Sequence, residues 1–188
     1  MQTLGLSDAT TRSESRLKSL FWPTIQSGAD VDYLAVQGFW VCTIVGVISL
    51  LMLFFASQPI TGILVFLIFH LGGVGVREHN PFAAVVMLVY YVLDWLAAPR
   101  FSVVRIIVTA LLVSNVRAAW IAGGWKPDSE EAVLPPRLAE TFFDKLADKW
   151  PAFIWPKVKV LYYIFALGFL AVFVAGLIVL KLKGGALR

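Results

Sequence analysis

The chain has 188 residues, 59% of them hydrophobic, with 16 lysines and arginines, 12 acidic residues and a net charge of +4. Soluble domains contain roughly 45–50% apolar residues, so this composition excludes an ordinary water-soluble fold. The basic excess does not predict a nucleic-acid partner, because the charges flank apolar runs and do not form one basic face.

Residues 1–35 are mostly polar and are predicted to form a cytoplasmic segment. No apolar core with a small-residue cleavage site follows the first arginines, so we expect no removable signal peptide. Within this segment, SRLKSLFWPTI at residues 15–25 has the weak apolar face of a short helix lying at the membrane interface.

Five apolar runs are predicted to be transmembrane helices, namely residues 36–57, 59–76, 82–98, 101–122 and 158–180. Short polar or proline-containing links join the first four runs, which form one unit at residues 36–122, and such links make consecutive helices antiparallel neighbours. The second and third runs would be about 26 Å long, slightly under a ~30 Å hydrocarbon core. The predicted fold class is therefore an all-α integral membrane protein, a bundle of five transmembrane helices, or four if one short run does not cross.

The stretch between the last two runs, residues 123–157, is predicted to be a cytoplasmic loop that contains a short amphipathic interfacial helix. Apolar residues recur there at every fourth position: Leu138, Phe142, Leu146 and Trp150. With charged residues around the rest of the turn, this pattern predicts a helix over residues 137–150. We expect Pro135 and Pro136 to set its start and Pro151 to end it. It could rest on lipid, rest on the spans, or dock a partner.

The distribution of lysine and arginine predicts the orientation. If the N-terminus is cytoplasmic, ten of these residues fall inside and four outside, the outer ones including the basic tail at residues 181–188. Arg105 and Arg117 are left out of this count as intramembrane residues. We therefore expect a bacterial inner-membrane protein with its N-terminus cytoplasmic and its C-terminus external. With only four spans, the tail would lie inside.

Two charged residues are predicted to share a depth near the outer ends of the third and fourth runs. They are Asp94 and Arg105. Because charges inside a membrane are costly, we expect Asp94 to pair with Arg105 or with Arg100 as a structural ion pair. A proton relay would need a second acid deeper in the bilayer, and the apolar runs contain none there.

His70 lies inside the second apolar run, near the depth of polar residues in the fourth. We expect His70 to hydrogen-bond in a polar cluster with Ser114, Asn115 or Arg117, and Glu78 to offset the charge of Arg117.

The alternative is that His70 is an axial ligand for haem or for a chlorophyll-type pigment, since a neutral imidazole can serve in this way. A bis-histidine haem is disfavoured, because His79 lies beyond a glycine-rich stretch and beside Pro81, not opposite His70. The sequence itself requires no cofactor and shows no metal-ligand spacing.

Small residues form two stripes at helical spacing. The fourth run contains Ala110, Ser114, Ala118 and Ala122, and the fifth contains the looser set Gly168, Ala171, Ala175 and Gly176. Small side chains let membrane helices approach closely. One stripe could serve the bundle and the other a partner helix. We interpret Gly72, Gly73 and Gly75 in the same way, as sites of close packing or a kink, since no phosphate-loop motif accompanies them.

These patterns favour a non-catalytic structural or accessory subunit of a larger membrane assembly. Its partners would be lipid and other membrane subunits or further copies of the chain. No nucleophile triad motif, metal-spaced histidine pair or nucleotide loop predicts an enzyme, and the lone Cys42 excludes an internal disulfide. The alternatives are a pigment- or haem-binding subunit of a photosynthetic or respiratory complex, with His70 as ligand, and a small transporter or oligomeric channel.

Overall fold

The computed structural model describes residues 15–97, 102–125 and 133–185, and within these ranges the chain is helical and contains no strand. The elements are α1 (Arg16–Phe21), α2 (Gly28–Phe55), α3 (Pro59–Arg77), α4 (Pro81–Ala97), α5 (Val103–Gly124), α6 (Phe142–Asp144), a π-helical turn (Lys145–Lys149) and α7 (Trp150–Gly185). Of the described helices, four are long and apolar enough to cross a membrane, and α4 is a shorter apolar helix. The predicted all-α membrane fold class is confirmed.

Helices α2 to α5 close into a ring. Each packs against the next, and α5 returns to pack against α2, while α7 lies outside the ring against α3 and α4. The buried core between them includes Phe39, Cys42, Val74, Met87 and Tyr162. Short links between α2, α3 and α4 make them antiparallel, so the start of α2, the end of α3 and the start of α4 lie at one end of the bundle. We call this the Arg77 end, and the opposite one the Asp94 end.

Helix α2 begins at Gly28, well before the predicted residue 36. The Asp30 carboxylate accepts hydrogen bonds from the backbone N–H of Gln26 at 2.9 Å and of Ser27 at 3.1 Å. This capping arrangement satisfies backbone donors that would otherwise have no partner at a helix start. Residues 28–35, which were assigned to the polar N-terminal segment, therefore belong to the first long helix.

The predicted amphipathic helix over residues 137–150 is wrong at both ends. The helix starts at Phe142, where Thr141 and Asp144 form a capping box, with the Asp144 N–H donating to Thr141 Oγ1 at 3.1 Å. It does not end at Pro151, because the chain continues through the π-helical turn into α7. The interfacial segment and the last apolar run are thus one uninterrupted helical path.

The glycines of α3 serve close packing. A Cβ on Gly75 would lie 2.5 Å from the Cβ of Ala83 and 2.5 Å from the Trp155 ring, and one on Gly73 would lie 3.0 Å from the Cβ of Cys42. Only glycine lets α3 approach α2, α4 and α7 this closely. Helix α3 runs without interruption from Pro59 to Arg77.

Candidate functional site

The most deeply buried charge in the described part of the chain is Arg77, which is 1% exposed at the end of α3. From the sequence, Arg77 is only one of the ten basic residues expected on the inner side of the membrane. A buried guanidinium must be paired and hydrogen-bonded, because removing it from water without compensation is very costly. Its partners therefore define the centre of this end of the molecule.

Two carboxylates bind adjacent edges of the Arg77 guanidinium and share its Nη2. On α2, Asp32 accepts from both terminal nitrogens, with Nη2 and Oδ2 3.3 Å apart. On the π-helical turn, Asp148 Oδ1 accepts from Nη2 at 2.7 Å and from Nε at 3.2 Å. Charge-assisted bonds of this forked kind are roughly twice as strong as neutral ones. The contact joins α2, α3 and the π-helical turn that precedes α7.

Pro151 explains why the helix widens beside Arg77. In an α-helix the carbonyl of Ala147 would accept from the N–H of residue 151, but proline has no N–H and its ring crowds that carbonyl. The chain forms a π-helical turn instead, in which the Trp150 N–H donates to the carbonyl of Lys145. The Ala147 carbonyl accepts from Arg77 Nε at 3.1 Å. Arg77 thus supplies the donor that Pro151 lacks.

A second layer of polar contacts covers this core. Arg137 Nη1 donates to Glu78 Oε1 at 2.7 Å and to the backbone carbonyl of Asp148 at 3.1 Å. The Leu138 N–H donates to Asp148 Oδ2 at 2.9 Å. These bonds fasten the extended segment before α6, residues 133–141, to the end of α3 and to the π-helical turn. Glu78 therefore pairs with Arg137, and the expectation that it offsets Arg117 is wrong.

His79 lies beside this network, at the turn between α3 and α4, with its Nε2 3.9 Å from Asp32 Oδ1. Its backbone has φ of 54°, and its N–H and that of Asn80 donate to the carbonyls of Val76 and Gly75, each at 3.0 Å. This is the helix-ending motif in which glycine is the usual residue. Burial lowers the pKa of His79 to about 4; the nearby cations Arg77 and Arg137 also lower it, and Asp32 opposes them. The imidazole is therefore neutral at pH 7.

The structure gives His70 partners that differ from those expected. Its Nδ1 lies 3.2 Å from Thr43 Oγ1 on α2, and its Nε2 accepts from Trp150 Nε1 at 3.2 Å. Phe66 stacks on the ring with centroids 5.5 Å apart. The expected cluster of His70 with Ser114, Asn115 or Arg117 is wrong, because α3 and α5 lie across the ring from each other.

Asn115 and Arg117, from that expected cluster, have other partners, whereas the buried Ser114 hydroxyl has no hydrogen-bond partner among the described residues. Asn115 Nδ2 donates to the carbonyl of Leu111 in its own helix at 2.8 Å, and Ser114 is fully buried. Arg117 Nη1 donates to the carbonyl of Pro23 at 2.8 Å, and its guanidinium lies 4.8 Å from the centroid of the Trp22 ring. Arg117 therefore holds the N-terminal segment against α5.

Axial ligation of a haem or pigment by His70 would compete with these hydrogen bonds. Both ring nitrogens have partners, so a metal could bind only after Thr43 or Trp150 had moved away. Among the described residues, no group of three or more His, Cys, Asp or Glu side chains could hold a metal ion. The geometry at His70 favours helix packing as its role.

At the Asp94 end, the structure brings together the two residues expected to pair. Arg105 Nη2 lies 3.4 Å from Asp94 Oδ2, and the side chains are 23% and 66% exposed, respectively. Arg100, the other candidate partner, lies outside the described residues.

The two stripes of small residues have different surroundings. On α5, Ser114 and Ala118 are buried, at 0% and 2% exposure, inside the ring. On α7, the four members of the stripe are exposed: Gly168, Ala171, Ala175 and Gly176. A Cβ added at either of its glycines would meet no atom within 4 Å. The fifth-run stripe is thus open on the outside of the bundle.

Comparisons of the chain with protein families, with curated proteins and with solved structures find no match. The helical architecture is compatible with a multi-pass membrane protein. Beyond that class, the site and surface geometry alone support an inference about function.

Proposed function

We propose that the protein is a non-catalytic structural or accessory subunit of a larger membrane assembly. The observation that carries this proposal is the open stripe on α7, from Gly168 to Gly176, where small side chains lie on the outside of the bundle. In lipid, the hydrophobic effect does not drive helices together, because the acyl chains are as apolar as the helix surfaces. Helices associate there through close packing of small residues. The matching stripe on α5 is already used inside the ring, which leaves α7 for a partner helix.

The polar side chains support a structural role. His70, Arg77 and Arg117 all bond to groups within the same chain, and each joins two or more segments. A catalytic or transport site needs polar groups that face a substrate. In this chain, the imidazole of His70 and the guanidinium groups of Arg77 and Arg117 form bonds that hold segments of the chain together.

The position of the basic residues supports an inner-membrane orientation. The Arg77 end carries Arg137, Lys145, Lys149 and Lys157, and lysine and arginine concentrate on the cytoplasmic side of a membrane protein. We place this end in the cytoplasm, together with α1. Because the helices alternate in direction, the end of α7 then lies on the external side.

The proposal is tested by replacing the two open glycines, Gly168→Leu with Gly176→Leu, in the tagged chain expressed in its source membranes. A Cβ added at either position meets no atom within 4 Å, so we expect the fold to survive the larger side chain, while a partner helix could no longer approach. After mild solubilisation, native electrophoresis with mass spectrometry should show the wild type in a band much larger than the monomer and the variant mainly as the free chain.

Gly123→Leu is the matched control, because an added Cβ there also meets nothing within 4 Å but lies outside the stripe. It should leave the large band intact. The proposal is overturned if the wild type migrates as a free monomer, or if the stripe variant stays in the large band. A haem or pigment absorbance that disappears in His70→Ala, with the fold retained, would instead establish the cofactor-binding alternative.

A further inference from the structure

A groove of about 720 Å³ opens on the surface of the Arg77 end. The side chains that matter for its chemistry are Arg137, Lys145, Lys149, Trp150 and Phe153. It lies between the extended segment before α6 and the first turns of α7. Ligand sites are commonly clefts of about 300–1,000 Å³, and most of the accessible lining here is apolar, so a ligand with both charged and apolar parts would suit this groove.

The charge available in the groove is positive. Asp148 also borders it, but both of its carboxylate oxygens are used, by Arg77 and by the Leu138 N–H. Arg137 is bonded to Glu78. In the described part of the chain, neither Lys145 nor Lys149 has an acidic side chain within 4 Å. The two lysines therefore offer their charge to an external anion.

Aromatic residues place the groove at the level of lipid headgroups. Trp150 is held by its hydrogen bond to His70, and Phe153 is 60% exposed. The Lys157 ammonium lies 3.2 Å from the centroid of the Phe153 ring. Phe142 and Phe143 are also exposed, at 72% and 64%. Exposed aromatic rings interleaved with lysines are typical of the membrane interface.

We propose that this groove binds the phosphate-bearing headgroup of an anionic phospholipid. Lys145 and Lys149 contact the phosphate, and Phe153 and the Trp150 ring face the glycerol and the first acyl carbons. The charge complementarity and the position beside the spanning helices favour lipid over an acidic protein segment, because the exposed aromatic rim needs an apolar neighbour. This inference depends on membrane insertion and does not require a partner subunit.

The test uses the purified full chain in detergent micelles, titrated with dioleoyl phosphatidylglycerol and, separately, with dioleoyl phosphatidylcholine, and read by native mass spectrometry. The wild type should retain phosphatidylglycerol at least tenfold more tightly. Each lysine near a membrane surface contributes about 1 kcal/mol toward an anionic lipid, which corresponds to about fivefold. Lys145→Gln with Lys149→Gln should therefore weaken retention by roughly 25-fold.

Lys18→Gln with Lys159→Gln is the matched control, since it removes the same charge from the same end but outside the groove. It should change retention less than threefold, and all variants should keep the wild-type melting temperature. Equal binding of the two lipids overturns the proposal, as does equal weakening by the two pairs of substitutions. Displacement of the bound lipid by a synthetic acidic peptide, with no lipid preference, would assign the groove to a protein partner instead.

Discussion

The two ends of the bundle each contain an arginine–aspartate contact between helices, but in different surroundings. At the Arg77 end, an arginine that is 1% exposed lies between Asp32 and Asp148 and also donates to a backbone carbonyl. At the Asp94 end, Arg105 Nη2 is 3.4 Å from a carboxylate whose side chain is 66% exposed. The same residue types therefore make a rigid junction at one end and a loose contact at the other.

The difference in burial sets what each ion pair is expected to contribute to stability. An exposed pair typically contributes about 0.2–1 kcal/mol, because water screens it and the side chains lose freedom. Removing one partner of a buried pair costs about 3–5 kcal/mol, because the other charge is left without compensation. We expect mutations at the two ends to differ accordingly.

The largest expected effect comes from Arg77→Met. This change leaves the half-buried Asp32 and the buried Asp148 without their counterion and removes the donor to the Ala147 carbonyl. The free energy of unfolding should fall by about 3–5 kcal/mol. Thermal unfolding in detergent micelles measures it, with Asp94→Asn at the other end as the control that should lose less than about 1 kcal/mol. Equal losses at the two ends would contradict the comparison.

The next effect is a pH dependence that only the Arg77 end should show. The pKa of His79 is lowered to about 4 in the folded protein, against 6.5 for a free histidine. As the pH falls from about 6.5 to about 4, the unfolded chain takes up a proton that the folded chain does not. The free energy of unfolding should therefore fall by up to about 1.4 kcal/mol per pH unit in this range. Above about pH 6.5, where His79 is neutral in both states, this loss should be absent.

His79→Asn provides the control for this pH dependence, because asparagine tolerates the positive φ but does not titrate. Unfolding curves of both proteins between pH 7 and pH 4 should diverge, the wild type losing more stability as the pH falls. If the two proteins lose stability equally over that range, protonation of His79 does not cause the pH dependence.

A smaller difference is expected between two glycine substitutions in α3, one near each end. A Cβ at Gly75 would lie 2.5 Å from the Cβ of Ala83, which cannot move without its backbone. Gly75→Ala should cost about 1–3 kcal/mol through overpacking. At Gly62 the nearest atoms are 3.2 Å away, and the better helix propensity of alanine offsets the tight contact. Gly62→Ala should be within about 1 kcal/mol of the wild type by the same thermal assay.

The smallest expected effect is the coupling between Asp94 and Arg105. Asp94→Leu together with Arg105→Leu should damage stability less than the sum of the two single changes, by about 0.2–1 kcal/mol. A double-mutant cycle in detergent measures this coupling. A coupling above 2 kcal/mol would mean that the Asp94 end resembles the Arg77 end after all.

The sequence predicted the apolar helices well, because length and hydropathy largely determine which segments suit a membrane. It also located the contact between Asp94 and Arg105, since neighbouring antiparallel helices bring residues of equal depth together. The start of α2 was missed, although Ser27 followed by Asp30 is a recognisable capping signal. These are all local patterns that the printed sequence contains.

The Arg77 network was missed for a different reason. Its carboxylates lie 45 and 71 residues away in sequence, and each looks like an ordinary charge beside a span. One local signal could have indicated it: Pro151 leaves the carbonyl of Ala147 without an N–H donor. The partners of His70 were missed because no single helix pattern shows which helices lie across the ring from each other.

The order in which the Arg77 partners are synthesised has a consequence for membrane insertion. Asp32 is made before Arg77, whereas Asp148 follows it by 71 residues. We therefore expect the hairpin of α2 and α3 to carry its own counterion into the bilayer, so that the arginine can be neutralised before the rest of the chain has been synthesised. We expect Asp148, which adds a negative charge to this neutral pair, to fix the last helix in place only after the earlier ones have inserted.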